Sequence, residues 1–421
     1  MIPTSDQFDL AIIGGGPGGY SAALYAASAK MKVAMVEADA LGGTCLNRGC
    51  IPAKAFLETA AVHRHVAHAA EFGIEASAPS VNFKVTQERK QKIVAGLVGG
   101  IAAMCKGRKV EVFDGWGSLG PDHTVTVTAE DGSTTEITGT NVILAAGSVP
   151  RLIPGFERGG PIMTSDEVLD LDHIPARMVV IGGGAIGCEF ASTFADLGAQ
   201  VTILEGLPKI LPGLDNDLAN VVVRSFKKKQ IDIRTGVKVD ERGFVVVDEF
   251  CRTGEDGVYA IGDLINTPPL AHVGYAEAIL VVKQTLGEEA APVMYDRVPW
   301  AIYCDPEVAW AGPDEATAKE QGYDVLVSKH PFKFNSRAQI VGSTEGLCKV
   351  IAEKGPDGKP GRILGVHMVG PWVTEQLSGG YLAVNWEATV DEVAEFIQPH
   401  PSLTELFGET VLSLTGRNFN G

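Results

Sequence analysis

Apolar and polar residues alternate in blocks along this chain, and one block pattern occurs twice. Residues 8–27 (FDLAIIGGGPGGYSAALYAA) and 178–206 (MVVIGGGAIGCEFASTFADLGAQVTILEG) each pass from an apolar run through a glycine cluster into small residues. This order predicts a buried strand, a tight turn and a helix. The uncharged run Leu10–Ala29 is long enough to span a bilayer. The GGGPGG within it would break a spanning helix, so the strand–turn–helix prediction is preferred.

The glycines of both copies follow the GxGxxG pattern of doubly wound, dinucleotide-binding folds. The first glycine makes a tight turn, the second lets the backbone approach a pyrophosphate, and the third permits close helix–strand packing. A glutamate follows 23 residues after the first glycine of each copy, where an acidic side chain meets an adenosine ribose. The residues are Gly14, Gly16, Gly19 and Glu37 in the first copy, and Gly182, Gly184, Gly187 and Glu205 in the second. Two copies predict two dinucleotides, and because Glu205 would repel a 2′-phosphate, the second site should prefer NAD to NADP.

Further elements are predicted around these motifs. Residues 109–139 alternate between apolar and polar and contain two Asp-Gly turn signals, which predicts antiparallel strands. Buried strands are predicted at 142–148 and 258–263, helices at 215–229 and 271–286, and a third strand of the second motif at 231–239. From about Val298, short strands at 345–353 and 362–370 alternate with helices near 314–321, 373–386 and 390–397. This α+β composition without a glycine fingerprint is typical of an assembly domain.

Composition narrows the class of protein. The chain has 421 residues, a formal net charge of −17 and 21% charged residues, which argues against nucleic acid or an anionic membrane as a partner. Its length predicts two or three domains. Seven cysteines in so long a chain do not form a secreted disulfide framework. No basic segment precedes the first apolar run, so we expect no signal peptide and a cytoplasmic protein.

Residues 42–54 (GGTCLNRGCIPAK) contain a candidate redox pair. A helix should begin near Cys50, because a proline two residues later is favoured in the first helical turn. The helix macrodipole then favours a thiolate at Cys50, and Lys54, four residues on, can point the same way. Glycines on either side let Cys45 fold back within disulfide reach. The alternative of two buried structural thiols leaves the proline and lysine unexplained.

Histidines give one further candidate. His63, His65 and His68 do not share one helical face, so we expect a solvated surface and no metal site. His400 lies between two prolines, with Glu405 five residues on, and a carboxylate there can hold the imidazole tautomer and support an imidazolium. Alone, such a histidine is more often a surface residue than a base.

In these motifs the chain resembles the pyridine nucleotide–disulfide oxidoreductases, which are disulfide-reducing flavoproteins. The matching segments run through almost the whole length: GGGPGG, GGTCLNRGCIPAK, AAGS, GGGAIGCEF, YAIGD, GVHMVG and HPSLTE. Within the family it looks most like the dihydrolipoamide dehydrogenases. The resemblance implies an α/β fold with two Rossmann-like dinucleotide-binding domains, one for FAD and one for NAD, and an α+β C-terminal dimerisation domain.

The resemblance also assigns residues. Lys54 would lie beside the flavin ring and pair with Glu189, while Cys45 and Cys50 form the redox disulfide. His400 and Glu405 of one subunit of a homodimer would complete the disulfide site of the other. FAD would be held by the first fingerprint with Glu37, Thr44, Lys54, Gly117, Gly147, Asp263 and Ala271, and NAD by the second with Glu205 and Val237.

The implied reaction is oxidation of dihydrolipoamide on the lipoyl domains of 2-oxo acid dehydrogenase complexes, with reduction of NAD. Two alternatives stay open. The chain could reduce another low-molecular-weight disulfide, as glutathione reductases do, although those enzymes usually carry arginines where this chain has Glu205 and GLPK. It could also be a flavin-bearing subunit that does not turn over.

The second alternative arises from one departure. The domains implied are 1–150 for FAD and the disulfide, 151–257 for NAD, 258–297 as a return to the FAD domain, and 298–421 for dimerisation. Between residues 239 and 240, roughly 40–50 residues of the family pattern are missing, which exceeds ordinary loop variation. Either the sequence leaves out a segment of the natural protein or the deletion is real. In both cases the NAD domain, as the sequence stands, should expose unpaired strand backbone.

Overall fold

The computed structural model describes residues 6–152, 157–236, 245–254 and 256–417. The strands are β1 (Asp6–Ile13), β2 (Val33–Glu37), β3 (Glu111–Asp114), β4 (Trp116–Leu119), β5 (Thr124–Thr128), β6 (Thr134–Leu144), β7 (Arg177–Ile181), β8 (Gln200–Glu205), β9 (Asp232–Thr235), β10 (Val258–Ala260), β11 (Trp300–Ile302), β12 (Glu307–Ala311), β13 (Val325–Pro331), β14 (Leu347–Lys354) and β15 (Pro360–Gly370). The α-helices are α1 (Pro17–Ser28), α2 (Gly43–Arg48), α3 (Cys50–Ala67), α4 (Phe83–Gly107), α5 (Ser165–Val168), α6 (Ala185–Asp196), α7 (Asn216–Lys228), α8 (Ala271–Thr285), α9 (Glu315–Glu320), α10 (Ser336–Val341), α11 (Val373–Asn385), α12 (Val390–Ala394) and α13 (Glu405–Leu414).

The chain divides into two compact units. The first contains Met1–Phe56, Asn82–His173 and Asp240–Tyr295, and the second contains Leu57–Val81, Ile174–Val239 and Asp296–Gly421. Each unit is therefore assembled from three separate stretches of sequence.

The first unit is built on a sheet in the order β3-β2-β1-β6-β5-β4, with β10 also paired to β6. β1 lies at its centre, parallel to both β2 and β6. Leu10, Ala11 and Ile12 are fully buried there, as expected of a parallel strand covered on both faces. The predicted strand, glycine turn and helix are thus confirmed as β1 and α1.

Two details of the first sheet differ from the prediction. β4, β5 and β6 form the predicted antiparallel ribbon, and Asp131-Gly132 lies in the turn between β5 and β6. Asp114-Gly115, however, links β4 to β3, which pairs parallel to β2, so it is not a turn between antiparallel strands. Residues 142–148 do not begin a new strand either, because β6 runs unbroken from Thr134 to Leu144. The alternation of apolar and polar residues indicates which face of a strand is buried, but it does not indicate whether the neighbouring strand runs parallel or antiparallel.

In its described residues, the second unit contains two sheets. β7, β8 and β9 form a parallel sheet of three strands, with α6 and α7 as the connections. The second sheet is antiparallel in the order β11-β12-β15-β14-β13, and its core includes Phe332, Val366 and Met368. The predicted mixed α/β architecture with an α+β C-terminal part is confirmed.

Some predictions fall outside the described residues. Val237 and the junction at 239/240 lie between residues 236 and 245 and cannot be compared with the structure. In the described part of the second unit, the parallel sheet ends at β7 on one side. Among the helices of the described residues, none has the length and apolar character needed to cross a bilayer.

Candidate active site

The two candidate redox cysteines lie in contact with each other. α3 begins at Cys50, with Pro52 in its first turn, as the sequence predicts, and it ends at Ala67. Cys45 lies in the preceding short helix α2, and its side chain is hydrogen-bonded to that of Cys50. Both are free thiols in this structure, Cys50 exposed and Cys45 partly covered. A pair in such contact can exchange one disulfide bond with a substrate dithiol.

Close backbone packing brings these cysteines together. A Cβ on Gly49 would lie 3.3 Å from Cα of Cys45, so a side chain there would push the two cysteines apart. A Cβ on Gly43 would lie 2.7 Å from Cα of Gly16, which packs the cysteine loop directly against the first glycine fingerprint. The side-chain amide of Asn47 donates to three carbonyls of the same loop, including that of Gly43 at 3.0 Å.

The surroundings of the two cysteine sulfurs differ. The hydrogen bond with Cys50 and the burial of the sulfur raise the pKa of Cys45 well above its usual range, and nearby Lys54 opposes this only in part. The Cys45 thiol therefore favours its protonated form. Cys50 stands at the helix N-terminus, where the macrodipole favours negative charge.

The first fingerprint has the geometry that a bound dinucleotide requires. Gly14 has φ +108°, and a Cβ on Gly19 would lie 1.7 Å from the Gly14 carbonyl oxygen, so the turn and the helix packing both exclude larger residues. Gly16 precedes α1, and a Cβ there would meet no atom closer than 3.8 Å, which leaves space for a pyrophosphate at the helix N-terminus. Glu37 accepts hydrogen bonds from the backbone N–H groups of Gly15 (2.7 Å) and Asp39 (2.9 Å). The residues present thus fit the adenosine diphosphate part of FAD.

The other residues assigned to FAD lie in the same unit. Thr44 lies in α2, Gly117 in β4, Gly147 after β6 with φ +70°, and Ala271 at the first position of α8. Asp263 lies in the 3-10 turn 262–264, where its carboxylate accepts a hydrogen bond from Ser148 at 2.8 Å. Their contacts with a flavin stay predictions.

Sequence reasoning missed three buried or half-buried groups of this unit. Glu277 is fully buried and accepts hydrogen bonds from the N–H of Gly262 (2.7 Å) and the hydroxyl of Tyr295 (2.9 Å), and so fixes the turn that carries Asp263. The hydroxyls of Tyr20 and Tyr275 lie 2.8 Å apart. Burial, their hydrogen bond and the nearby cysteines raise the pKa of Tyr20. Tyr20 directly follows the fingerprint, whereas nothing in the sequence singled out Tyr275 or Glu277.

The second fingerprint reproduces the first. Gly182 has φ +111°, and a Cβ on Gly187 would lie 1.9 Å from the Gly182 carbonyl oxygen. Gly184 precedes α6 with open space where its side chain would be. Glu205 accepts from the N–H groups of Gly183 (2.6 Å) and Leu207 (2.7 Å), as Glu37 does in the first copy.

Glu189 and the His400–Glu405 pair lie in the second unit. Glu189, in α6, accepts a hydrogen bond from the N–H of Tyr303 at 3.1 Å, and its pairing with Lys54 stays a prediction. Nδ1 of His400 lies 2.8 Å from Oε1 of Glu405, whose Oε2 accepts from the N–H of Ser402 at 2.6 Å. Because the carboxylate engages Nδ1, the tautomer that donates from Nδ1 leaves Nε2 as a proton acceptor. The His400 side chain is 70% exposed and that of Glu405 is 18% exposed. The imidazole ring therefore faces solvent, while the carboxylate that holds it is mostly buried.

Comparison with known proteins identifies the family. The profile described as "Pyridine nucleotide-disulphide oxidoreductase" matches residues 8–240 and 234–278, and the profile of that family's dimerisation domain matches residues 298–411. The dihydrolipoyl dehydrogenase of Bacillus subtilis is 36% identical over 471 residues, which cover 98% of each chain. That of Chlorobaculum parvum is 35% identical, with 97% of each chain covered.

A solved structure supports the same conclusion. The crystal structure of LpdA from Mycobacterium tuberculosis matches with a TM-score of 0.90 at 25% identity and covers 97% of this chain and 99% of that one. The chain therefore belongs to the pyridine nucleotide-disulphide oxidoreductase family of flavoprotein disulfide oxidoreductases, which use FAD and NAD.

Proposed function

We propose that the chain oxidises dihydrolipoamide to lipoamide with reduction of NAD, as a dihydrolipoyl dehydrogenase. The observation that carries this proposal is the pair of contacting thiols, Cys45 and Cys50, at the start of α3. Similarity over nearly the whole length to relatives named for this activity supports the choice of substrate.

In the first half of the proposed reaction, the substrate dithiol reduces the Cys45–Cys50 disulfide. Nε2 of His400 accepts a proton from one substrate thiol, and the resulting thiolate attacks Cys45. The bond between the two protein sulfurs breaks, and its electron pair remains on Cys50. The second substrate thiol then displaces Cys45 from the mixed disulfide, which releases lipoamide. Cys45 leaves as a thiolate and takes up the proton that the second substrate thiol gives up, in agreement with its raised pKa.

In the second half, the disulfide is regenerated. FAD, when bound, would supply the two-electron chemistry that couples re-oxidation of the two cysteines to the reduction of NAD. The chain's own residues hold the reactants: the first fingerprint with Glu37 holds the adenosine part of FAD, and the second with Glu205 holds that of NAD. Lys54 and the N-terminus of α3 stabilise negative charge beside the flavin.

A homodimer completes the site. Residues 298–411 match a dimerisation domain, and we assign His400 and Glu405 of each subunit to the cysteine pair of its partner. Phe396 and Ile397, just before His400, are 66% and 90% exposed. Large apolar side chains exposed together mark interaction surfaces, so this region supports an interface next to the histidine.

Lipoyl domains of 2-oxo acid dehydrogenase complexes are the proposed partners, because they carry the dithiol as a protein-bound group. The scarcity of disulfide-forming cysteines supports a reducing, cytoplasmic location.

Turnover with purified substrates tests the proposal. We expect the FAD-loaded protein to form NADH from NAD and dihydrolipoamide, and Cys45→Ser to abolish the reaction while retaining FAD. Glutathione disulfide with NADPH should give no turnover. Faster turnover with glutathione disulfide than with lipoamide, both assayed in the reducing direction, would replace the proposal by a glutathione reductase-like activity.

A further inference from the structure

α8 carries a buried carboxylate that no step of the proposed reaction uses. Glu277 is 0% exposed, and it accepts hydrogen bonds from the backbone N–H of Gly262 at 2.7 Å and the hydroxyl of Tyr295 at 2.9 Å. Burial and, to a lesser extent, the negative charge of Asp263 raise the pKa of Glu277. Among the described residues, no lysine or arginine forms an ion pair with this carboxylate.

The burial of Glu277 carries a free-energy cost. A carboxylate that is buried without a cation loses its hydration, and two hydrogen bonds offset only part of that loss. When buried ionic groups are replaced by well-packed apolar side chains of similar volume, stability is often unchanged or improved. Stability alone therefore does not explain a glutamate at this position, and the reason lies in the group that the glutamate holds.

Glu277 holds a turn that carries one of the residues assigned to FAD. Gly262, whose N–H it accepts, begins the 3-10 turn 262–264, and Asp263 is the next residue of that turn. The carboxylate of Asp263 accepts a hydrogen bond from the hydroxyl of Ser148 at 2.8 Å. The turn therefore has two anchors, because Glu277 fixes its backbone and Ser148 fixes the carboxylate that it carries.

The same helix also contacts the first glycine fingerprint. A Cβ on Gly274 would lie 3.5 Å from the backbone nitrogen of Gly18 and 3.8 Å from Cα of Gly262, so α8, α1 and the turn meet at one point. One residue further along α8, the hydroxyl of Tyr275 lies 2.8 Å from that of Tyr20 in α1. α8 therefore holds the turn at a fixed distance from the fingerprint, where the pyrophosphate of FAD is expected.

We infer that Glu277 is a positioning residue for FAD, which acts through the turn and not by contact with the cofactor. It fixes the backbone of the turn, so that Asp263 presents its carboxylate to FAD at a set distance from the first fingerprint. The inference rests on the assignment of FAD and Asp263 under the proposed function. FAD affinity then depends on the hydrogen bond from Gly262 to Glu277, and it does not depend on the negative charge of Glu277.

Glu277→Leu and Glu277→Gln separate the hydrogen bond from the charge. Leucine cannot accept from Gly262, so FAD should bind at least about tenfold more weakly, which corresponds to about 1.4 kcal/mol. Glutamine can accept from Gly262 through its carbonyl oxygen while its amide donates to the Tyr295 hydroxyl, so the dissociation constant of FAD should stay within about threefold of wild type. Dilution of the FAD-loaded protein, with released FAD detected by its fluorescence, measures these constants.

Two further variants separate positioning of FAD from a general role in folding. If Glu277 acts through Asp263, Glu277→Leu should add less than about threefold to the loss caused by Asp263→Ala, because effects that pass through one group are not additive. Glu307→Leu is a matched control. Glu307 in β12 is also a carboxylate whose burial raises its pKa, and it accepts from the backbone N–H and the hydroxyl of Thr374 at 3.1 and 2.7 Å. This control should leave FAD binding unchanged.

The inference is overturned if either Glu277→Leu or Asp263→Ala keeps full FAD affinity, or if their losses multiply in the double variant. It is also overturned if Glu277→Gln or Glu307→Leu binds FAD as weakly as Glu277→Leu does. A Glu277→Leu chain that does not fold, as judged by far-ultraviolet circular dichroism, has the same consequence, because the residue would then support the whole unit. These measurements need neither dihydrolipoamide nor NAD, so a failed turnover assay would overturn the proposed function without affecting them.

Discussion

Cys45 and Cys50 are close neighbours but have unequal surroundings. Cys45 is partly covered and hydrogen-bonded to Cys50, which raises its pKa, whereas Cys50 is exposed at the start of a helix. This inequality suits a reaction in which the substrate attacks one sulfur and the other receives the electron pair.

Alkylation should reveal this inequality. A raised thiol pKa means a smaller thiolate fraction at any given pH, and the thiolate is the reactive form. In the reduced protein at neutral pH, iodoacetamide should modify Cys50 well before Cys45. Cys45 should react only when the pH rises above the usual pKa of a cysteine thiol. Mass mapping of the modified peptides measures the order, and modification of Cys45 first would contradict the assignment.

His400→Gln tests the proposed base. The loss of proton transfer should lower kcat by about 10²–10⁴-fold, a range typical of general acid–base groups, while FAD content stays unchanged. His173→Gln is a matched control, because His173 is also exposed with a carboxylate, that of Asp172, 2.5 Å from Nδ1. Steady-state kinetics that show equal losses in the two variants would remove His400 from the mechanism.

At the scale of elements, each nucleotide site depends on a helix packed closely against its strand. In Gly19→Ala the new Cβ would collide with the Gly14 carbonyl oxygen, so α1 would shift and FAD should be lost. Gly96→Ala, within α4 and with nothing near its Cβ, should keep FAD and gain about 0.5–1 kcal/mol of stability. The ratio of flavin absorbance to protein measures both results; full FAD content in Gly19→Ala would contradict the packing argument.

A buried ion pair joins α7 to the antiparallel sheet of the second unit. Nζ of Lys349 in β14 lies 2.8 Å from Oδ2 of Asp215, which caps α7, and the two side chains are 3% and 5% exposed. Lys349→Met leaves this carboxylate buried without its partner and should cost about 3–5 kcal/mol of unfolding free energy. Lys319→Met, which removes the exposed pair with Glu315, should cost about 0.3–0.5 kcal/mol.

The same cluster should make stability depend on pH. The hydrogen bond from Lys329 outweighs burial and, together with Lys349, lowers the pKa of Asp217. Its contribution is therefore complete above the unfolded-state pKa of aspartate and is lost as pH falls through the lower folded-state value. Urea unfolding from neutral to acidic pH should show a smaller acid-induced loss in Lys349→Met than in the wild-type chain; equal losses would contradict this.

At the scale of the whole molecule, strong local patterns were enough to predict most of the fold. The two fingerprints, the helix start at Cys50 and the contact of His400 with Glu405 all follow from residues close in sequence. The 25-residue helix α4 was not predicted, because three glycines interrupt its periodicity. Neither the direction of β3 nor the contact between Tyr20 and Tyr275 could be predicted, since both depend on segments distant in sequence.

We propose that the cysteine pair of one subunit works with His400 of the other. Neither His400→Gln nor Cys45→Ser homodimers should turn over appreciably. In a heterodimer of the two, however, the subunit with intact cysteines receives His400 from its partner, so one site is complete. Random assembly of equal amounts should restore about a quarter of wild-type activity, because half of the dimers carry one working site of two. If the mixture is no more active than its parents, although mass spectrometry shows heterodimers, the two halves of the site belong to one chain and the account is wrong.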